Sequence, residues 1–146
     1  MVSYEGLFFE GEAKNKILEL EERHLPIMND ELHCTFVYHP TQKDFYEELI
    51  GKEYKVRLVG YACNDKNSGF LIEIPEELIK YYKNIDRDQN KIKKPHITVS
   101  ISKDSEPYLT KNLNFIPLKT PVEIIGKYGY WIKEDEKEYL SYERQI

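Results

Sequence analysis

Two tripeptides in this chain set a histidine and a threonine two positions apart: His33-Cys34-Thr35 and His96-Ile97-Thr98. Imidazole titrates at about pH 6.5, so one histidine can accept a proton while another supplies one. A threonine hydroxyl can donate to the non-bridging oxygens of a phosphate, where charge must be held in the transition state. At a ribonucleotide 3′-5′ linkage, one histidine would deprotonate the 2′-hydroxyl and the other would protonate the departing 5′-oxygen. That chemistry needs no metal. The sequence leaves open which histidine is base and which is acid. With four histidines and five threonines in the chain, a threonine follows a given histidine at this spacing by chance roughly once in thirty, so two such pairs are a signal where one would not be.

Strands suit this spacing, because residues i and i+2 of a strand project to the same face. Leu32 to His39 reads as a strand from its β-branched and aromatic content, and Pro40 ends it. His96 to Ser102 reads as a second. Cys34, Phe36, Ile97 and Val99 then face away from the histidines and can pack. Around these the chain alternates strands and helices. A strand over Tyr4 to Gly11 leads to an amphipathic helix over Glu12 to His24, with Ala13, Ile17, Leu20 and His24 on one side. A short helix over Asp44 to Ile50 has a capping pair in Thr41 and Asp44 and a stop at Gly51. Tyr54 to Tyr61 and Gly69 to Ile74 form a hairpin about the turn-rich Asn64 to Gly69. Pro75 opens a helix through Tyr82, and Asp86 to Lys94 is a loop. Val122 to Ile125, Tyr128 to Lys133 and the last residues supply further strands. Each motif strand follows a helix by a loop, and the histidines stand 63 positions apart (33 and 96), close to half of the chain. Two similar lobes are expected.

Length and composition predict a single globular domain over residues 1–146, with 40% apolar and 32% charged residues and no linker. No apolar run is long enough to span a bilayer, and Met1 to Glu5 lacks the basic and apolar regions of a signal peptide, so a cytoplasmic location is expected. Cys34 and Cys63 are read as reduced thiols, too few for a zinc site of the usual kind. A net charge of -5 argues against a protein that coats long DNA or RNA. It leaves room for a small anion in a locally basic pocket, and Lys91, Lys93 and Lys94 precede His96. His39 shares strand parity with His33, but nothing spaced near it completes a metal set, and it is read as structural. His24 is read as a helix-end residue complementing the dipole. Tyr128-Gly129-Tyr130-Trp131 is read as core packing. No metal, cofactor or protein partner is expected.

The chain resembles the two-histidine phosphoesterase superfamily, whose hallmark is a pair of His-x-Thr/Ser-hydrophobic motifs. Within it, the segment Lys94-Pro95-His96-Ile97-Thr98-Val99-Ser100, the later Pro121-Val122-Glu123-Ile124-Ile125-Gly126, and Leu32-His33-Cys34-Thr35-Phe36 are similar to the phage anti-CBASS cyclic-oligonucleotide phosphodiesterases. The resemblance implies an α+β, bilobal fold in which two antiparallel sheets form a concave cleft with helices outside. It implies cleavage of cyclic di- and trinucleotide immune signals inside an infected bacterium. It carries His33, Thr35, His96 and Thr98 as the catalytic set, and points to Tyr4 and Glu123 as substrate-binding residues. An aromatic that stacks a base is also implied, with Tyr61 and Phe70 as candidates. A 2′,5′-oligoadenylate or 2′,3′-cyclic phosphate substrate, or a sponge that binds signalling nucleotides without cleaving them, are the alternatives.

Overall fold

The computed structural model describes residues 1–41, 43–86, 91–92 and 94–144. In chain order the elements are β1 (Val2–Phe8), α1 (Gly11–Leu20), β2 (Ile27–Met28), β3 (His33–Tyr38), β4 (Glu53–Cys63), β5 (Asn67–Glu73), α2 (Glu76–Ile79), β6 (Ile85–Asp86), β7 (Lys91–Ile92), β8 (His96–Ile101), β9 (Ile116–Glu134) and β10 (Lys137–Ser141). Strands dominate, and with two helices among the described residues the protein is α+β. Among the described residues no helix is long and apolar enough to cross a membrane.

One antiparallel sheet runs in the order β2-β8-β5-β4-β9-β1-β3, with β10 on β9, and β6 and β7 form a separate two-stranded ladder. The separate sheets expected from the sequence are therefore joined. The join is β9, a single 19-residue strand where two strands were expected on either side of Gly126. Gly126 is not a break. A Cβ there would lie 2.7 Å from the Phe9 ring, so the glycine lets that ring pack against a continuous strand. β9 pairs with β4 from Ile116 to Lys127 and with β1 from Lys127 to Ile132, which makes it the spine shared by both halves. β4 shows the alternation that such a sheet needs, with Val56 and Leu58 buried and Lys55 and Arg57 exposed.

The two halves repeat each other in register. Opposite β3, Gly6 faces Thr35, Leu7 faces Cys34 and Phe8 faces His33. Opposite β8, Gly69 faces Thr98, Phe70 faces Ile97 and Leu71 faces His96. Every residue of the second set stands 63 positions after its counterpart (6 and 69, 33 and 96). The irregularity in the ladder recurs too, at Glu5/Gly6 and at Ser68/Gly69. Both glycines are compelled by close approach. A Cβ on Gly6 would sit 2.1 Å from the Cys34 carbonyl oxygen, and one on Gly69 would sit 2.4 Å from that of Ile97.

The helices are shorter than their sequence patterns predict. α1 buries Ala13 and Ile17 but stops at Leu20 rather than His24. Glu21 leaves the helix in an extended conformation, and its buried carboxylate accepts a hydrogen bond from Ser100 Oγ. His24 pairs with that same carboxylate instead of ending the helix. α2 is one turn long, and Tyr82 is reached through a further turn closed by Tyr82 N–H to the Ile79 carbonyl. The helix expected over Asp44 to Ile50 is a 3-10 turn at Glu47–Leu49, although Asp44 N–H does bond the Thr41 carbonyl and Gly51 does adopt a positive φ of 84°. The core holds Leu7, Phe36, Leu58, Phe70, Ile97, Val99 and Tyr128, all essentially inaccessible. Tyr128 and Tyr130 belong to this core, as the sequence reading had them.

Candidate active site

β3 and β8 share no ladder, yet their histidines face one space. Cys34 lies within hydrogen-bond reach of the His96 main chain, and the His96 ring acts electrostatically on His33. Both motifs line a pocket of about 30 Å³ whose walls are His33, Thr35, Tyr38, Asn84, His96, Thr98, Pro107 and Tyr108. The four residues expected to be catalytic thus meet from sequence positions 33, 35, 96 and 98. A space of this size admits a water or two, or one phosphate group entering from the mouth, and not a nucleotide. Among the described residues, no carboxylate lines the pocket.

Each ring is held in the same way. His33 Nδ1 lies 2.7 Å from the carbonyl oxygen of Glu31, and His96 Nδ1 lies 2.7 Å from that of Lys94. A carbonyl only accepts, so each Nδ1 carries the hydrogen, and proton exchange with a ligand falls to each Nε2. The donor in both cases reaches back two residues to the loop that feeds the strand, which makes the ring orientation a property of the loop–strand junction.

The threonines are also held, by reciprocal contacts from the opposite half. Asn29, four residues ahead of His33, donates from Nδ2 to the Thr98 carbonyl (2.9 Å), and its own N–H bonds the Val99 carbonyl (2.9 Å). Asn84, ahead of His96, donates from Nδ2 to the Thr35 carbonyl (3.2 Å), and the neighbouring Lys83 N–H bonds the Phe36 carbonyl (2.9 Å). Each motif is therefore braced by the segment that leads into the other. The Thr98 hydroxyl donates to the Pro107 carbonyl (2.8 Å) and lies 2.8 Å from the Thr110 hydroxyl. Asn67 Nδ2 bonds Thr110 Oγ1 and the Glu106 carbonyl, which pins the 3-10 turn Pro107–Asn112 over β8. The Thr35 hydroxyl is engaged with the Tyr38 phenol.

Electrostatics separate the groups by role. Burial lowers the His33 pKa to about 4; the neighbouring His96 adds to this and the bond to Glu31 opposes it. His33 is therefore neutral at physiological pH, with Nε2 able to accept a proton. Burial pushes the Cys34 thiol up to about 12, which makes it a packing residue and not a nucleophile. Lys111 sits near the mouth, with Nζ 5.9 Å from the Tyr108 ring centroid and an electrostatic effect on Tyr38.

Of the two further residues expected to bind substrate, Tyr4 is brought to the site and Glu123 is not. The Tyr4 ring stacks on the His33 imidazole at 4.6 Å, and Trp131 stacks on Tyr4 at 6.4 Å. Glu123 is exposed on β9 opposite Arg57, and lines a separate groove of about 490 Å³ with Glu10, Glu12, Lys16, Glu53 and Lys55. That groove is larger than the histidine pocket, but every charged group in it is solvated and the signs are mixed, so nothing there concentrates charge on a ligand. The expected stacking aromatics also fail. Tyr61 bonds Ser68 in the interior and Phe70 is core. Tyr38 and Tyr108, exposed at 41% and 51%, flank the pocket instead. His39 is exposed at a positive φ of 47°, away from the pocket lining. Lys94 is exposed beside the motif, while Lys93 and the Lys91 side chain lie outside the described residues. Sequence reasoning missed Asn84, Tyr38 and Tyr108. Tyr38 ends a motif strand but falls on the parity opposite to His33 and Thr35, and the ladder irregularity that lies between Thr35 and Val37 has no signal in the sequence; Asn84 and Tyr108 arrive only through tertiary folding. Compared with protein-family models and with curated proteins, the chain matches none.

Proposed function

We propose that this protein is a metal-independent phosphodiesterase that cleaves 3′-5′ bonds of cyclic di- and trinucleotide signals by histidine acid–base catalysis. The observation that carries the reading is the pair of imidazoles, each fixed through Nδ1 to a main-chain carbonyl, on one pocket with two threonines. In this reading the scissile phosphate enters the pocket and the nucleosides remain outside, against the exposed rings of Tyr38 and Tyr108. His33, kept neutral by burial, is the base that takes the 2′-hydroxyl proton. His96 is the acid that protonates the leaving 5′-oxygen. The Thr35 and Thr98 hydroxyls turn from the Tyr38 phenol and the Pro107 carbonyl to the non-bridging oxygens. Tyr4 acts through His33, fixing its ring and excluding water from it. The repeated register of the two halves supports assignment to the bilobal two-histidine phosphoesterase fold. The resemblance of the motifs supports phage counter-defence in the host cytoplasm as the setting.

The test is a substrate panel with EDTA present: cyclic dinucleotides, cyclic triadenylate, 2′,5′-oligoadenylate and 2′,3′-cyclic nucleotides. Products from the cyclic 3′-5′ substrates support the reading. Turnover of the other two classes alone moves the substrate within the same chemistry. Tight binding with the ligand recovered intact makes the protein a sponge, and loss of turnover on adding EDTA sinks the metal-free mechanism.

A further inference from the structure

Among the described residues that line the histidine pocket, Asn84 carries a buried polar atom without a hydrogen-bond partner. Asn84 is 3% exposed and lines the pocket. Its Nδ2 donates to the Thr35 carbonyl at 3.2 Å, and its amide also bonds the Tyr82 phenol. The Thr35 carbonyl can only accept, so it requires the nitrogen on that side, which fixes the orientation of the amide. Oδ1 is then left buried with no hydrogen-bond partner. A buried carbonyl oxygen without a donor is costly, and such an atom in a ligand pocket selects for a ligand that brings the donor. The pocket's remaining polar groups are suited to a phosphodiester, which itself has no donor. The donor must then come from the group next to the phosphate.

The geometry points to Asn84 as a specificity-determining residue whose Oδ1 accepts a hydrogen bond from the ribose hydroxyl adjacent to the scissile phosphate. This rests on the phosphodiesterase reading above and adds to it how ribose is told from deoxyribose. A site that hydrogen-bonds a substrate hydroxyl rejects the analogue lacking it, because its own acceptor stays unpaired. The hydroxyl has one hydrogen, so this bond is made on binding and is given up as His33 Nε2 takes that proton. Asn29, the counterpart brace in the other half, is not among the lining residues, so the two sides of the pocket differ in this acceptor. The ribose whose hydroxyl reacts therefore lies on the Asn84 and Thr35 side.

The experiment measures binding of 3′,5′-cyclic di-adenylate and of its 2′-deoxy counterpart to the full chain carrying His96→Ala, which slows cleavage. The expected result is a preference for the ribose ligand that falls about tenfold on adding Asn84→Ala, one hydrogen bond's worth. Asn84→Asp, which keeps an acceptor oxygen, should retain the preference even if both ligands bind more weakly. Should either variant fail to fold, the Asn84 side-chain carbonyl signal in a ¹³C spectrum of the His96→Ala protein gives the same answer. It should shift with the ribose ligand and not with the deoxy ligand. An undiminished ribose preference in Asn84→Ala, or a carbonyl signal that responds equally to both ligands, overturns the proposal and leaves the phosphodiesterase reading standing. Failure of the protein to bind either ligand overturns both.

Discussion

The Tyr4 ring lies against the His33 imidazole with centroids 4.6 Å apart and planes inclined by 24°. Phe8 packs on the same imidazole at 5.5 Å. These rings come from β1, the ladder neighbour of β3, and they are part of the burial that keeps His33 neutral. Tyr4→Phe should therefore hold turnover within about threefold of the parent, since the ring remains, whereas Tyr4→Ala should lower kcat by about ten- to a hundredfold as the imidazole loses its support. Steady-state kinetics on the best substrate of the panel check this. Equal losses in both variants would show that the hydroxyl, and not the ring, is what matters.

The pH profile follows from the same burial. A base works only when deprotonated, so the acid limb of kcat/KM in the free enzyme should have its midpoint near the His33 value of about 4 and not near 6.5. In Tyr4→Ala the limb should move upward, toward the value of an exposed imidazole. A midpoint of 6 or above in the parent would mean that His33 is not the base.

Glu5 supplies a stability prediction of opposite sign. It is fully buried, with Oε1 accepting from the Tyr128 hydroxyl and the Tyr46 N–H and with Oε2 unpartnered. Burial raises its pKa to about 7, and the bonds from Tyr128 and Tyr46 only partly offset this. The unfolded chain ionises near the ordinary value of 4.5, so between 4.5 and 7 the folded state holds the extra proton and stability falls as pH rises. His33 works the other way: its folded value is depressed, and its contribution is lost as pH falls from 6.5 to 4. Glu5→Gln removes the first dependence alone. Denaturant titrations should show little change at pH 4 and a gain of about 2 kcal/mol at pH 8 relative to the parent. A variant that loses stability at pH 8 would show that the carboxylate has a partner there.

The paired glycines predict matched damage. Gly6→Ala and Gly69→Ala each force a methyl into a carbonyl oxygen, that of Cys34 or of Ile97, at the ladder position facing a motif threonine. Each should cost at least about 2 kcal/mol, read as a shift in the denaturant midpoint. A variant of normal stability would mean that the ladder there is not as tight as the register requires.

The motif strands were legible because parity alone orders them: His33 with Thr35 toward the pocket, Cys34 and Phe36 into the core. The spacing of 63 was visible as two histidines, but the repeat itself was not. It resides in which residues face which, Gly6 with Thr35 and Gly69 with Thr98, and backbone pairing leaves little trace in side-chain identity. β9 was read as two strands because Gly126 resembles a stop until the Phe9 ring is seen against it. Glu123 was singled out only by the family resemblance of its segment, and the sheet carries it to a different groove. Asn84 had no local signal, since its importance comes from the Thr35 carbonyl, 49 positions away.

The central claim is that His33 and His96 act as one unit on one phosphate. The most direct measurement is kcat for the parent, His33→Ala, His96→Ala and the double variant on a cyclic 3′-5′ oligonucleotide in EDTA. Each single change should lower kcat by about 10²- to 10⁴-fold, and the double variant should be scarcely slower than either single, because half of a proton relay does no more than none. A double variant slowed by the product of the two single effects, or a single variant with parental turnover, would contradict it.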